Sequence, residues 1–381
     1  MEEEHNQISR RTFLTSAAAV TAAAAVSPTW AVTSTEQKGT TQKRDSIATK
    51  TAAGKPNSRF NGVQIGTITY SFRDIQGGSD ATIKACLEAG VSSIELMGDG
   101  LEEELGAPSD PVRKKMMEQM RKMMEERQKA AAAGQAAPAG PGAGGPPRFE
   151  MTDEDKAAQK KYQEDLADFR KSSGLMAKWA ALAKKFKDAG IDIHILKWIA
   201  GDTEELYDYT CNVVKTFGAK AFCTEGAEDA CKKYGTVAAA HKLLVTYHNH
   251  AQYSKMTVDE IQKWLDYSPA NRLNFDSGHY FGFGYDNSTK LTPIQFIDHF
   301  HDRIFSIHMK DKTKLTNQFA SNQNQVWGQG ETPVREILQH VRDHYPHLYC
   351  DIELEYNIPK WSTSAKEVGT CVRYAREALI Y

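Results

Sequence analysis

The chain has 381 residues, of which 40% are hydrophobic and 25% charged, an ordinary globular composition that can fill one large domain with a complete core. Its formal net charge of -2 argues against a nucleic-acid partner, which would favour a strongly basic face. Beyond the N-terminus, no stretch is apolar over the roughly 18 residues that a membrane-spanning helix needs, so no membrane association is expected after signal removal.

The first 32 residues have the layout of an export signal. Arg10 and Arg11 precede an alanine-rich, mildly apolar run over residues 17–26, which leads into small residues. This order of charged, apolar and small segments is typical of a secretion signal, and the paired arginines resemble the twin-arginine signal. We therefore expect a twin-arginine signal peptide over 1–32, export to the periplasm, and a flexible polar linker over 33–60.

From residue 63 onward, short apolar runs alternate with helical segments. Eight runs are predicted to be strands, over residues 63–68, 93–97, 191–196, 221–224, 243–248, 272–275, 304–309 and 348–354. Regular alternation favours a parallel α/β sheet, and eight units favour a closed barrel over an open sheet. The predicted fold is a (β/α)8 TIM barrel over residues 61–381.

The alternation is interrupted after the second predicted strand. A charged helix is expected over 114–128, followed by an Ala/Gly/Pro tract over 130–147 that is too poor in apolar residues to order itself. A long helix is then predicted over 153–189, with a break near 171–174. We interpret residues 100–184 as a helical, partly low-complexity insertion that either covers the barrel mouth or mediates association into a homo-oligomer.

Ionisable side chains gather where the predicted strands end, which is where TIM barrels carry their functional residues. In strand order these residues are Glu95, His194 with Lys197, Glu225, His248 with His250, Asp276 with His279, His308 with Lys310, and Glu353 with Glu355. A lone strand-end histidine is more often structural than a ligand. Convergence of carboxylates and imidazoles on one axial volume is costly unless a cation neutralises them. A mixed nitrogen and oxygen set suits one divalent ion, Mn, Co, Zn or Mg.

Four segments, in this order and rough spacing, resemble the xylose isomerase-like TIM-barrel superfamily of sugar phosphate isomerases and epimerases. The segments are 247–250 (Tyr-His-Asn-His), 274–279 (Asn-Phe-Asp-Ser-Gly-His), 307–311 (Ile-His-Met-Lys-Asp) and 354–356 (Leu-Glu-Tyr). The resemblance covers residues 63–381 apart from the insertion. It implies a metal site that uses Asp276, His308 and Glu355, with one further ligand from the fifth strand.

The fifth strand departs from the ketose epimerase pattern, in which a glutamate is both ligand and acid/base. His248 stands there, and a histidine can also ligate a metal and transfer protons. Glu225, one strand earlier, is a second candidate ligand that could supply the missing carboxylate. Glu353 shares a strand face with Glu355 and is the alternative to it as a ligand. The predicted catalytic residues are Glu355, His248 and Glu225.

The resemblance also implies a set of substrate contacts, for which we name His250, His279, Lys310 and Trp327. His279 would contact substrate hydroxyls, or it would hydrogen-bond Asp276 instead. Lys310 would face the substrate as a cation, or it would pair with its neighbour in the sequence. Trp327 lies in the loop after the seventh strand, which usually closes over the site in this superfamily.

The superfamily reaction that the resemblance implies is proton abstraction next to a carbonyl, with an enediolate stabilised by the metal. Because an exported protein meets few sugar phosphates, the expected function is a metal-dependent isomerase or epimerase of an unphosphorylated sugar or keto-sugar. Loss of a β-hydroxyl at the same site would make it a lyase or hydratase. The missing glutamate leaves open a non-catalytic sugar-binding barrel, whereas net charge and export disfavour an apurinic endonuclease.

Overall fold

The computed structural model describes residues 54–132, 151–283, 290–314 and 323–380. The predicted signal peptide, most of the predicted linker and most of the Ala/Gly/Pro tract lie outside these ranges. The described residues fall into two compact units, one over 107–172 and the other made of 54–106 and the segments from 173 onward. Within the described ranges, no helix is both long and apolar enough to cross a bilayer.

Eight parallel strands form a closed barrel in the larger unit. They are β1 (Val63–Ile68), β2 (Ser93–Met97), β3 (Asp192–Lys197), β4 (Ala221–Glu225), β5 (Leu244–His248), β6 (Asn271–Asp276), β7 (Ile304–Met309) and β8 (Tyr349–Ile352). Each strand pairs with the next, and β8 pairs in parallel with both β7 and β1, which closes the ring. The predicted TIM barrel is confirmed, with β8 shorter than expected.

Helices alternate with the strands along the chain. In chain order they are α1 (Gly78–Ala89), α2 (Leu101–Glu104), α3 (Pro111–Ala132), α4 (Asp153–Lys171), α5 (Leu175–Asp188), α6 (Glu204–Thr216), α7 (Glu228–Ala240), α8 (Gln252–Lys255), α9 (Val258–Asp266), α10 (Ser277–Gly282), α11 (Pro293–Phe300), α12 (Val334–His344) and α13 (Ser364–Ile380). Capping boxes begin α9 at Thr257 with Glu260 and α11 at Thr292 with Gln295. In each box the side chains satisfy backbone N–H groups that the helix itself leaves free.

The smaller unit contains α3 and α4, which are joined by an ion pair between Lys115 and Asp155. The unit is narrower than the predicted insertion over 100–184, because α5 belongs to the barrel unit. Trp179 of α5 is fully buried, and its ring packs against those of Trp198 and Phe217. α5 is therefore the barrel helix between β2 and β3.

The barrel unit begins before residue 61, so the end of the predicted linker is part of the fold. Residues Arg59–Phe60 form a short strand that pairs antiparallel with the start of β1. Asn61 and Gly62 connect the two strands with φ values of 44° and 88°. An Asn-Gly pair is favoured in such two-residue hairpin turns because both positions need positive φ. Buried Ser58 adds a hydrogen bond from its hydroxyl to the Ile65 carbonyl.

The interior of the barrel is unusually polar below the strand ends, whereas such interiors are commonly filled by branched apolar side chains. His194 of β3 lies within 2.9 Å of both Asp351 Oδ2 and Ser93 Oγ. Gly66 makes room for this arrangement, since a Cβ there would lie 2.0 Å from Asp351 Oδ1. The polar layer continues upward into Glu95 of β2 and the residues at the carboxyl ends of the strands.

Candidate active site

A compact set of four potential ligands, the four-residue cluster, lies at the carboxyl ends of β5 to β8. It consists of His248, Asp276, His308 and Glu353, all buried, with potential ligand atoms within 4.8 Å of one another. His248 and Asp276 are the last residues of β5 and β6, and Glu353 directly follows β8. Parallel strands bring their carboxyl ends to one edge, so these side chains converge although they are far apart in sequence.

Lys310 lies among the carboxylates of this cluster. Its Nζ is 2.8 Å from Asp276 Oδ2, 2.9 Å from Glu353 Oε2 and 3.0 Å from Glu355 Oε2. Burial alone would lower the pKa of Lys310, but the three carboxylates outweigh it and raise that pKa above its ordinary value. Lys310 is therefore a buried cation engaged by acidic side chains.

His308 bridges two buried carboxylates. Its Nε2 is 2.9 Å from Glu95 Oε2, and its Nδ1 is 2.8 Å from Glu353 Oε2. Burial lowers the pKa of His308, but these two carboxylates outweigh it and raise the pKa to about 10. Asn274 fixes the Glu95 carboxylate by donating a hydrogen bond to it. His308 could ligate a metal only by giving up one of its two carboxylate contacts.

Two histidines, His248 within the cluster and His279 beside it, are neutral. Burial, reinforced by Lys197, holds the pKa of His248 well below its ordinary value, and its Nε2 is 3.9 Å from Asp276 Oδ2. Burial, reinforced by Lys310, does the same for His279. Among the described residues neither ring nitrogen of His279 has a hydrogen-bond partner. The Nε2 of His279 lies 3.7 Å from both Asp276 Oδ2 and Glu355 Oε2.

Glu225 and His250 form a separate acid–base pair, which we call the Glu225–His250 pair. Glu225 ends β4, and its Oε2 is 3.3 Å from His250 Nδ1 while its Oε1 is 3.1 Å from Lys197 Nζ. Burial raises the pKa of Glu225, but His248, His250 and Lys197 outweigh it and lower that pKa. The contact with Glu225 raises the pKa of His250, so the pair favours a bound proton.

Trp327 is not part of the polar cluster. Its ring packs edge-on against Tyr374 of α13, with centroids 5.8 Å apart. Asp311 fixes the surrounding loop, because its Oδ2 accepts hydrogen bonds from the backbone N–H groups of Gly328 and Gly330 at 2.8 and 2.9 Å. The loop therefore holds Trp327 against the outer helix, and its predicted contact with substrate stays a prediction.

The ligand atoms of this network suit a divalent cation. Its ion pairs join four carboxylates, Glu95, Asp276, Glu353 and Glu355, to two cations, His308 and Lys310. Lys197 and Lys312 also act on these carboxylates from nearby, and carboxylate oxygens are common ligands of divalent ions. His248 and His279, both neutral, add imidazole nitrogens as possible ligands, so the residues present fit such an ion.

The barrel fold agrees with a comparison against family models. A model described as xylose isomerase-like TIM barrel matches residues 83–371. The chain belongs to this family. A second model, for the twin-arginine translocation signal sequence, matches residues 7–27. This xylose isomerase-like barrel is therefore exported to the periplasm by the twin-arginine pathway, as predicted.

Solved structures similar to this xylose isomerase-like barrel have low sequence identity. The probable 3-DHS dehydratase AsbF from Bacillus anthracis is 12% identical, with 82% of this chain and 98% of that chain covered and a TM-score of 0.47. A sugar phosphate isomerase/epimerase from Parabacteroides distasonis is 13% identical, with 82% and 95% covered and a TM-score of 0.47. A D-psicose 3-epimerase is 12% identical, with 84% and 97% covered and a TM-score of 0.43. No curated protein matches the chain.

The structure divides the predicted site residues of this family member into groups. His248, Asp276 and His308 come together as expected. The fourth member of the cluster is Glu353, which was predicted only as the alternative to Glu355. Lys310, His279 and Glu355 surround the cluster, while Glu225 and His250 pair beside it and Trp327 lies apart.

Two residues of the network had no assigned role in the predicted site, although Glu95 was among the strand-end residues and Asn274 lay in one of the four segments that resemble the superfamily. Glu95 contacts His308, and Asn274 holds Glu95. The available signal for Glu95 was a carboxylate between Ile94 and Leu96 within a buried strand, where a charge needs a partner.

Proposed function

We propose that this protein is a metal-dependent isomerase or epimerase of an unphosphorylated sugar or keto-sugar, and that it moves a proton at a carbon next to a carbonyl. One observation carries the proposal. Glu225 ends β4 and Glu355 follows β8, and these strands lie four apart in a ring of eight. Two acid–base groups therefore approach the four-residue cluster from opposite sides, as proton transfer on two faces of a substrate carbon requires.

The cluster supplies the electrostatic part of this chemistry. A divalent ion held by Asp276, Glu353 and His248, with His279 or His308 as a further ligand, would polarise the carbonyl and stabilise the negative charge that develops as the proton leaves. Burial strengthens these interactions because the surrounding medium screens them little. Asn274 and Glu95 hold His308 in place within the cluster.

The two acid–base groups have complementary states. Glu355 is 19% exposed, and its carboxylate is positioned to remove a proton from a bound substrate. On the opposite side, the Glu225–His250 pair holds a proton that it can return to the substrate carbon. Removal on one face and return on the other inverts a carbon centre. Return to the carbonyl carbon, with the proton of the adjacent hydroxyl moving to the carbonyl oxygen, isomerises the sugar.

Export favours an unphosphorylated substrate, because the periplasm is separate from the cytoplasm, where most sugar phosphates are made. The proposed partner is a small neutral sugar, and we expect neither nucleic acid nor membrane lipid as a partner. Association into a homo-oligomer remains part of the proposal for the smaller unit.

A lyase or hydratase acting on a keto-sugar is the second candidate. The Glu225–His250 pair favours it, because a departing β-hydroxyl needs a proton from a nearby acid. Elimination would begin with the same proton removal by Glu355. The two candidates therefore differ in whether the carbon–oxygen bond beside the carbanion breaks.

Solvent-deuterium exchange tests the proposed function. We expect protein loaded with Mn²⁺ to exchange deuterium from D2O into at least one member of a panel of free ketoses, aldoses and keto-sugars, at the carbon next to the carbonyl. NMR would locate the label. An epimerised or isomerised product supports the first candidate, and an unsaturated product supports the second. Protein stripped of metal is the control, and no exchange into any sugar would contradict both candidates.

A further inference from the structure

The ammonium group of Lys310 and a divalent metal would bind the same carboxylate oxygens. An ammonium carries three N–H donors. Around Lys310 Nζ lie three carboxylates, Asp276, Glu353 and Glu355, at 2.8, 2.9 and 3.0 Å. Two of these three are ligands in the proposed metal site, and the third is the proposed base. Lys310 therefore already neutralises part of the charge that would attract the metal.

The fold builds this position for Lys310. Its side chain is 2% exposed, and a Cβ at Gly278 would lie 2.2 Å from its Cγ. Glycine at the start of α10 thus lets the stem of Lys310 pass close to the backbone. The next lysine along the chain, Lys312, is also buried, but its Nζ donates to Asn324 Oδ1 at 2.8 Å instead. Of these two lysines, Lys310 is therefore the one held by Asp276, Glu353 and Glu355, which we call the carboxylate cage.

We propose that Lys310 is a built-in counter-cation, which competes with the divalent metal for these carboxylates and turns toward the substrate when the metal binds. The inference rests on the proposed metal site. Two cations that share one set of carboxylates repel each other strongly in a buried site. Lys310 thus weakens metal binding, which keeps the ion exchangeable. Its displaced ammonium can then hold a substrate oxygen near Glu355.

Metal affinity tests the competition directly. We expect Lys310→Met to bind Mn²⁺ at least about tenfold more tightly than the wild type, because the competing charge is gone and three carboxylates are released. Isothermal titration of metal-stripped protein with Mn²⁺ alone measures this. Lys310→Gln, which keeps hydrogen-bond donors without the charge, should behave in the same way. It provides a second variant if the first does not fold.

Lys185→Met is the matched control, because Lys185 forms a surface ion pair with Asp80 at 2.9 Å away from the cluster. It loses the same charge and should keep the wild-type affinity. Wild-type or weaker affinity in both Lys310 variants would overturn the competition. A wild type that binds no Mn²⁺ at all would instead overturn the proposed metal site, so the two failures are distinguishable.

Displacement of Lys310 can be followed in the wild-type protein. We expect reductive methylation of Lys310, measured by peptide mass spectrometry, to rise several-fold when Mn²⁺ is added, since its amine leaves the carboxylate cage. Labelling of Lys185 in the same sample should stay constant. Unchanged or reduced labelling of Lys310 with Mn²⁺ bound would overturn the displacement.

Discussion

Replacing Glu355 with glutamine is expected to lower turnover by about 10²–10⁴-fold while the metal stays bound. The amide keeps the size of the side chain but cannot accept the substrate proton, and the four-residue cluster does not include Glu355. The measurements are kcat on a sugar found by deuterium exchange and the metal content of the variant. Glu228→Gln, at the start of α7, is the control and should leave both unchanged.

The result separates two assignments for Glu355. Loss of metal together with activity would make Glu355 the ligand and contradict the assignment to Glu353. In an epimerase, Glu225→Gln should also lose turnover, because it removes the opposite acid–base group. Each of the two variants should then still exchange deuterium into one epimer and not into the other. A loss confined to Glu355→Gln would favour chemistry on a single face.

Replacing His308 with alanine is expected to destabilise the fold by about 3–5 kcal/mol. His308 is fully buried between Glu95 and Glu353, and its removal leaves two buried carboxylates without their shared cation. Urea unfolding of metal-stripped protein, followed by circular dichroism, gives the free energy of unfolding. His347→Ala, at an exposed position, is the control and should change it by less than about 0.5 kcal/mol.

The size of the loss in the free energy of unfolding tests whether His308 bridges the two carboxylates. A loss below about 1 kcal/mol would contradict the carboxylate bridge, because breaking a buried pair leaves an uncompensated charge. Added Mn²⁺ should recover part of the lost stability if the cluster binds the ion, because a ligand that binds only the folded protein stabilises it.

The barrel was predictable because the alternation of strands and helices along the chain shows in local sequence patterns. Strand and helix periods alternate eight times, and parallel strands joined by helices close in only a few ways. The boundaries were harder to predict. The hairpin at Asn61 and Gly62 was missed because its first strand has only two residues and follows a polar segment. α5 was assigned to the insertion because a barrel helix and an inserted helix share one amphipathic pattern.

The site residues were predictable as a group, but their pairing was not. Ionisable residues that end parallel strands converge, so a strand-end cluster could be predicted from position, and the family resemblance then pointed to Asp276 and His308 within it. Side chains alternate between the two faces only within a strand. Glu353 and Glu355 both follow the end of β8, so this alternation could not decide which of them is the ligand. The cage around Lys310 depends on distances between strands that no local pattern reports. The position of Trp327 depends on backbone hydrogen bonds to Asp311.

Elemental analysis of the purified mature protein, wild type beside Asp276→Asn, tests the central claim most directly. Asparagine keeps an acceptor for the His279 backbone N–H, so α10 retains its cap while the buried charge is lost. Mn, Co, Zn and Mg would be measured after loading with each ion in turn. We predict about one divalent ion per wild-type chain and little or none in the variant. No ion in either protein, or equal content in both, would contradict a metal site at the strand ends.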